Sequence, residues 1–330
     1  MELDLLQPAV VAWFKRQAAA LGMDQSRLTA EYRLNWGGFV NQSFRITDGA
    51  TSYHLKLAGS ADGRRRLGHW YQIHPPLTER YRAPRVVAWV VIPGTDHAGL
   101  LFEDVPGEPP QAWSEALQDE VAATVSRLHR DTDVRRYLRK GELAGSCESV
   151  FRETFITRFA EDLATIEVTP PPFVTAEHLA WMTQEVNTLE EAAVEAPAFA
   201  APADHPIHAD LWINNVIVGP TGAWALVDWD DLRLGDPALD YAVLFGPTAA
   251  SMKLADPARV LPYAEIERDP GVLARIPLYG RATLLDWVID SLADYVDAGA
   301  VAEHTARVRE EKERVHRLAK QEYQRTYCSG

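Results

Sequence analysis

The chain has 330 residues, more than one compact core usually serves, so two lobes or a domain with a large appendage are expected. Hydrophobic residues at 47% against 24% charged exclude a mainly disordered chain. The 33 Lys plus Arg against 47 Asp plus Glu leave a formal charge of -14, which argues against nucleic acid as a partner and suits a cationic ligand or one carried with a divalent metal.

The chain opens with MELDLLQPAVVAWFKRQAAALGM, whose apolar stretch is interrupted by Lys15 and Arg16. It reads as an amphipathic helix, without the basic leader and small-residue cleavage site of an address. No run approaches the roughly 20 apolar residues of a membrane span. From Ala30 the segments AEYRLNW, QSFRIT and SYHLKL alternate, separated by Gly37-Gly38 and Asp48-Gly49, and predict three strands with tight turns. A helix from about Asp62 is expected to stop before Pro75-Pro76, because proline removes a helix donor. RVVAWVVI and GLLFEDV, flanking Pro93-Gly94, predict another strand pair.

From Gly107 onward helical spacing takes over, across 113–130, 149–166 and 175–196. A Pro/Ala-rich stretch then leads to NNVIV and AWALVDW, a predicted hairpin around Gly219–Gly222. The rest is helix-rich, with a charged end over 301–327 that should pack by one face. A strand-rich lobe over 1–106 and a mainly helical lobe over 107–330 are thus expected. Cys147 and Cys328 lack metal-ligand spacing and suggest no disulfide framework, so a reducing, cytoplasmic setting is expected.

The segment IHADLWINNVIVGPTGAWALVDWDDLRLGDPALD concentrates the chemistry. It holds His208-x-Asp210, Asn215 five residues beyond that aspartate, and Asp228 after the hairpin. Phosphoryl transfer needs an acceptor hydroxyl held in line and the phosphate charge neutralised. A carboxylate beside the hydroxyl can orient it and take its proton, while an amide oxygen and a second carboxylate can hold magnesium, which prefers hard oxygen ligands.

At these residues the sequence resembles the aminoglycoside phosphotransferase and choline kinase-like family, within the protein-kinase-like fold. The resemblance implies an α+β, two-lobed architecture with a small antiparallel-sheet N-lobe and a mainly helical C-lobe. It implies a small-molecule kinase that moves the γ-phosphoryl group of Mg-ATP, with GTP as the other donor, to a hydroxyl of a small metabolite or of an aminoglycoside- or choline-like acceptor. Asp210 would be the base, His208 would brace its loop, and Asn215 and Asp228 would bind Mg2+. In the later GDPALD, Asp236 would hold the catalytic loop and Asp240 would be structural.

For the nucleotide, the resemblance points to Gly37 and Gly38, whose backbone can approach phosphates, and to Lys56 in YHLKL for the α and β phosphates. LLFEDVPG resembles the family's lobe-connecting hinge, so Glu103 and Val105 would offer backbone contacts to the adenine edge and Phe102 would wall its pocket. The family's helix glutamate that pairs with the lysine is missing. Between Leu57 and Pro84 the only acids are Asp62 and Glu79, and Gln72 stands about where the glutamate is expected.

The acceptor side is thinner. Asp286, Asp290, Asp294 and Asp297 share a helix face opposite Leu285, Val288, Leu292 and Val296, a pattern read chiefly as a solvated face. Trp212 and Trp229, with Asp230 and Asp231, are candidates near a cationic acceptor. Two alternatives accompany the kinase reading. One is a catalytically weak nucleotide-binding regulator of the same fold. The other is a metal-dependent oxygenase in which His208 and Asp210 would begin an iron site; it needs a distant third ligand on a strand, whereas His304 and His316 lie in helical, charged stretches.

Overall fold

The computed structural model describes residues 3–33, 41–139, 145–298 and 305–328. Helix α1 (Leu3–Gln17) carries Leu6, Val10 and Phe14 at helical spacing on its buried side. Strands β1 (Thr29–Arg33), β2 (Asn41–Thr47) and β3 (Ser52–Ala58) follow as an antiparallel meander. The β2–β3 turn is fixed by Asp48, whose carboxylate accepts the N–H groups of Ala50 and Thr51 at 2.8 and 2.7 Å, while Gly49 supplies φ +90°. These backbone hydrogen bonds hold the Asp48 carboxyl down at about 2.

Helix α2 (Ala61–Tyr81) starts at the N-cap Ser60 and runs straight through Pro75 and Pro76. The expected stop before the proline pair does not occur. Its cost is limited to N–H donors missing opposite the carbonyls of Tyr71 and Gln72, both exposed residues, and His74 Nδ1 lies 2.6 Å from the Tyr71 carbonyl. The buried stripe of Leu67, Trp70, Ile73, Leu77 and Tyr81 continues past the prolines, and its burial outweighs the lost bonds. Strands β4 (Val86–Val91) and β5 (Ala98–Glu103) complete a five-stranded antiparallel sheet of order β1-β2-β3-β5-β4. Helix α1 packs on one face, over Phe44, Ile46, Leu55, Leu57 and Leu101. Lys56, His54, Leu100 and Phe102 lie on the opposite face, where the Phe102 ring meets Trp70 of α2 at 4.6 Å. Gly99 lets β5 lie close to β3, since a Cβ there would sit 1.9 Å from the Lys56 carbonyl oxygen.

Helices α3 (Glu115–His129) and α4 (Thr132–Leu138) follow, then α5 (Cys147–Phe151), which passes through a π turn at Arg152–Thr157 into α6 (Arg158–Val168). After α7 (Ala176–Glu195) come four three-residue strands: β6 (His205–Ile207), β7 (Val216–Val218), β8 (Trp224–Leu226) and β9 (Arg233–Gly235). β7 and β8 form the predicted hairpin, and β6 pairs with β9. Helices α8 (Pro237–Leu244), α9 (Pro257–Glu267), α10 (Gly271–Asp297) and α11 (Thr305–Tyr323) finish the chain. α10 is buried nearly all round, packed by α6, α7, α8, α9 and α11.

The chain forms two compact units: Met1–Pro110 with Asn214–Asp231, and Gln111–Ile213 with Leu232–Gly330. The β7–β8 hairpin therefore goes with the sheet of the first unit, which a single cut near Gly107 does not describe.

Candidate active site

In the first unit, Lys56 comes from the central strand β3 and is nearly buried, its side chain 9% exposed. Its ammonium donates to the Asp228 carboxylate and, at 2.6 Å, to Oδ1 of Asp230. Burial opposes the charged lysine, but the two carboxylates outweigh it and raise its pKa above the ordinary lysine range. Asp230 responds in kind: burial would raise it, yet Lys56 holds it below the usual carboxylate range. Asn41 of β2 donates from Nδ2 to Asp230 Oδ2 at 3.1 Å, and Arg66 of α2 pairs with Asp231 at 2.7 Å. Asp228 itself has φ +66°, a left-handed conformation that turns the chain sharply after β8. The Asn215 carbonyl accepts the Val227 N–H at 2.8 Å, which sets Asn215 and Asp228 at the same open end of the hairpin.

In the second unit, β6 leads into His208–Asp210. Asp240, fully buried at the start of α8, accepts the backbone N–H of His208 at 2.9 Å on one oxygen and that of Ala209 at 2.8 Å on the other. Ala209 has φ +68°, uncommon for a residue with a Cβ, and the paired amides hold it there. The Asp210 N–H donates to His208 Nδ1 at 3.3 Å, and the His208 ring is fully buried. The two later aspartates have exchanged the duties expected of them. Asp240 holds the loop, while Asp236 caps α8 through Ala238 and takes a bidentate Arg275 at 2.6 and 2.9 Å.

Behind Asp240 lies His129, fully buried, with Nε2 2.9 Å from Asp240 and Nδ1 3.0 Å from Glu267, which also accepts from Tyr241 at 2.6 Å. Burial alone would depress the imidazole. The hydrogen bonds and charges of the two acids prevail and lift it to about 9, so both ring nitrogens carry protons at neutral pH. A pKa raised from an ordinary 6.5 gives stability that is full below 6.5 and lost as pH climbs through about 9, on the order of 3 kcal/mol. The melting temperature should accordingly fall between pH 6.5 and 9, and His129→Gln should flatten that slope in a thermal scan.

The acids of α10 divide: Asp297 is exposed and the Asp290 side chain 40% exposed, as a solvated face requires, whereas Asp286 and Asp294 are enclosed. Asp286 and Asp294 are each 7% exposed. Asp286 pairs with Arg158 of α6, Asp290 with the same arginine at 3.6 Å, and Asp294 with Lys312 of α11. Several helices pack around α10, and they cover Asp286 and Asp294 while leaving Asp290 and Asp297 in reach of solvent. Burial lifts Asp286 to about 7, with Arg158 opposing it only in part, and lifts Asp162 and Asp294 to about 6. Trp212 and Trp287 meet edge to face, 5.2 Å between centroids.

Some of the residues expected near the acceptor sit elsewhere than that role suggests. Trp229 is 1% exposed and donates its indole N–H to the Leu226 carbonyl at 2.7 Å, so it is core of the first unit and no acceptor wall. Asp230 and Asp231, placed with it near the acceptor, are instead bound to Lys56 and Arg66. Phe102 is 3% exposed under α2, Glu103 is exposed and pairs with Arg85, and Val105 is half-buried. Gly37, Gly38 and His304 lie outside the described residues. His316 lies on helix α11, not on a strand, and is buried with Nδ1 2.8 Å from the Val288 carbonyl. Asn41, which bonds Asp230, and His129 with Glu267, which stand behind Asp240, were not marked by motif spacing.

The donor chemistry at the hairpin end fits magnesium. Asp228 and Asn215 offer hard oxygens, the Asp228 side chain is 27% exposed, and magnesium typically takes one or two carboxylates and completes its shell with water and phosphate. Among the described residues no three or more His, Cys, Asp or Glu are grouped as a closed metal cage. No helix among them is long and apolar enough to cross a membrane.

Residues 31–285 match the model of the phosphotransferase enzyme family. No curated protein sequence matches the chain. Among solved structures, choline kinase from Cryptosporidium parvum Iowa II aligns at 14% identity and TM-score 0.58, covering 94% of each chain. The GDP complex of aminoglycoside 2'-phosphotransferase-IIIa aligns at 14% identity and TM-score 0.60, over 93% of this chain and 98% of that one. Spectinomycin phosphotransferase, solved with ADP and spectinomycin, aligns at 13% identity and TM-score 0.57, over 88% and 92%. At such identities the likeness establishes the protein-kinase-like fold.

Proposed function

Because the chain belongs to the phosphotransferase enzyme family, and is therefore a small-molecule phosphotransferase acting on hydroxyl groups, we propose that it moves the γ-phosphoryl group of Mg-ATP to a hydroxyl of an amine-bearing acceptor. The observation that carries this reading is the pairing of Lys56 with Asp228, 172 positions apart, which joins a phosphate-binding cation to an acid fit for a metal. Asp210 is the base: it accepts the acceptor hydroxyl proton as the oxygen attacks phosphorus and the bond to the nucleotide breaks. His208 and Asp240 fix the loop that presents it. Lys56 meets the phosphates, and Asn215 and Asp228 hold Mg2+, which when bound neutralises phosphate charge.

An amine on the acceptor is supported by the formal charge of -14 and by the acids of α6 and α10. Asp162, Asp286, Asp290 and Asp294 outnumber Arg158 and Lys312, leaving that region short of positive charge. The test is a thermal shift with Mg-ATP and Mg-GTP, followed by release of ADP or GDP over a panel of amino sugars, amino alcohols and neutral polyols. Turnover confined to neutral polyols would end the cationic-acceptor reading, and nucleotide binding without any turnover would favour a regulator. Asp228→Ala should weaken Mg-ADP binding at least tenfold by calorimetry, a loss of about 1.4 kcal/mol.

A further inference from the structure

Lys56 is gripped by two carboxylates, and the two are not equivalent. Asp228 is the more open, its side chain 27% exposed against 7% for Asp230. Asp230 sits on the short 3-10 turn Trp229–Asp231 and is held from three directions. Lys56 meets Oδ1 at 2.6 Å, Asn41 meets Oδ2 at 3.1 Å, and the buried Trp229 indole pins the turn to Leu226. The other end of the turn is tied to α2 by Arg66, which donates to Asp231 at 2.7 Å and forms an ion pair with Asp62 at 3.2 Å.

Helix α2 gives Lys56 no acid of its own. Its carboxylates are Asp62, engaged by Arg65 and Arg66, and Glu79, exposed near the far end. Lys56 cannot rely on Asp228 alone, because that carboxylate is also the one fit to engage a cation. A nearly buried ammonium left without an anion costs several kcal/mol, and it would turn outward or lose its proton.

We propose that Asp230 is the positioning residue for Lys56, keeping its ammonium in place toward the phosphates when Asp228 turns to metal, and that α2 acts on this pair only indirectly, through Arg66 and the turn. The inference rests on Lys56 and Asp228 being nucleotide-handling residues, as proposed above.

A double-mutant cycle tests it, with Mg-ADP as the probe and calorimetry as the readout. Lys56→Met should weaken Mg-ADP at least tenfold in the otherwise native chain. In an Asp230→Asn background the same substitution should cost less than about threefold, because the lysine is no longer placed; couplings of this size are usual for contacting pairs. Asp230→Glu keeps the charge and should restore most of the Lys56 dependence. It is also the arm that remains if Asp230→Asn fails to fold, and there the loss of Lys56 must again cost several-fold. An equal cost of Lys56→Met in both backgrounds overturns the inference and leaves the functional reading standing. The inference also falls if Asp230→Asn raises the Mg2+ concentration needed for half-maximal ADP binding while the Lys56 dependence stays whole, since Asp230 would then be a metal ligand. No effect of Lys56→Met in the native background removes the functional reading of the lysine, and the inference with it.

Discussion

Replacing Asp210 with Asn is expected to lower kcat by roughly 10²–10⁴-fold, the usual share of a general base, and to leave Mg-ADP affinity unchanged. The substitution is nearly isosteric, and the backbone of the loop has holds outside the Asp210 carboxylate. Its shape rests on Asp240, which binds the amides of His208 and Ala209, and on His208 Nδ1, which receives the Asp210 N–H. The variant should therefore fold, melt near the native temperature and bind nucleotide while losing turnover. Steady-state rates on any acceptor found by the panel, beside calorimetry with Mg-ADP, separate these effects. A native rate would remove Asp210 from the mechanism. A matching loss of nucleotide affinity would mean that the residue belongs with the metal ligands instead.

The second large effect is on stability. Arg275 is 1% exposed and bonded to Asp236, Asp269 and the Ala198 carbonyl. Arg275→Ala leaves Asp236, itself fully buried, without its bidentate counter-ion. Breaking one side of a buried pair costs about 3–5 kcal/mol. Denaturant unfolding should show the midpoint shifted to correspondingly lower concentration, with the slope unchanged. Arg275→Met with Asp236→Ala, which removes both charges, should recover part of the loss. If the single variant loses less than about 1 kcal/mol, this pair is no keystone of the second unit.

The strands of the first sheet were legible because alternation and turn residues agree: Phe44 and Ile46 point to the core at period two, and Asp48-Gly49 closes the turn. The His208, Asp210, Asn215 and Asp228 spacing was legible because it lies in one continuous segment. Long-range partners were not. Nothing in the spacing said that Asp240 would reach back to His208, that His129 would sit behind it, or that Asp230 would turn inward to Lys56. Each depends on packing between elements far apart in the chain. Asp286 and Asp294 depart from the solvated face for a related reason, while Asp290 and Asp297 keep to it. A one-sided apolar stripe predicts a wet opposite face only when a single neighbour covers the helix, and α10 is enclosed by several. The proline pair in α2 was read by local propensity, which the buried stripe continuing to Tyr81 overrode. The three-residue β6 and β9 are too short for any periodic signal.

The assignment of residues 214–231 to the first unit has a consequence for biosynthesis. When the ribosome has released only the opening third of the polypeptide, the sheet can assemble, yet its central lysine has no counter-ion until the later hairpin emerges. A fragment ending at Pro110 would thus carry an uncompensated positive charge in its interior, and nascent chains should stay sensitive to protease until synthesis passes Asp231.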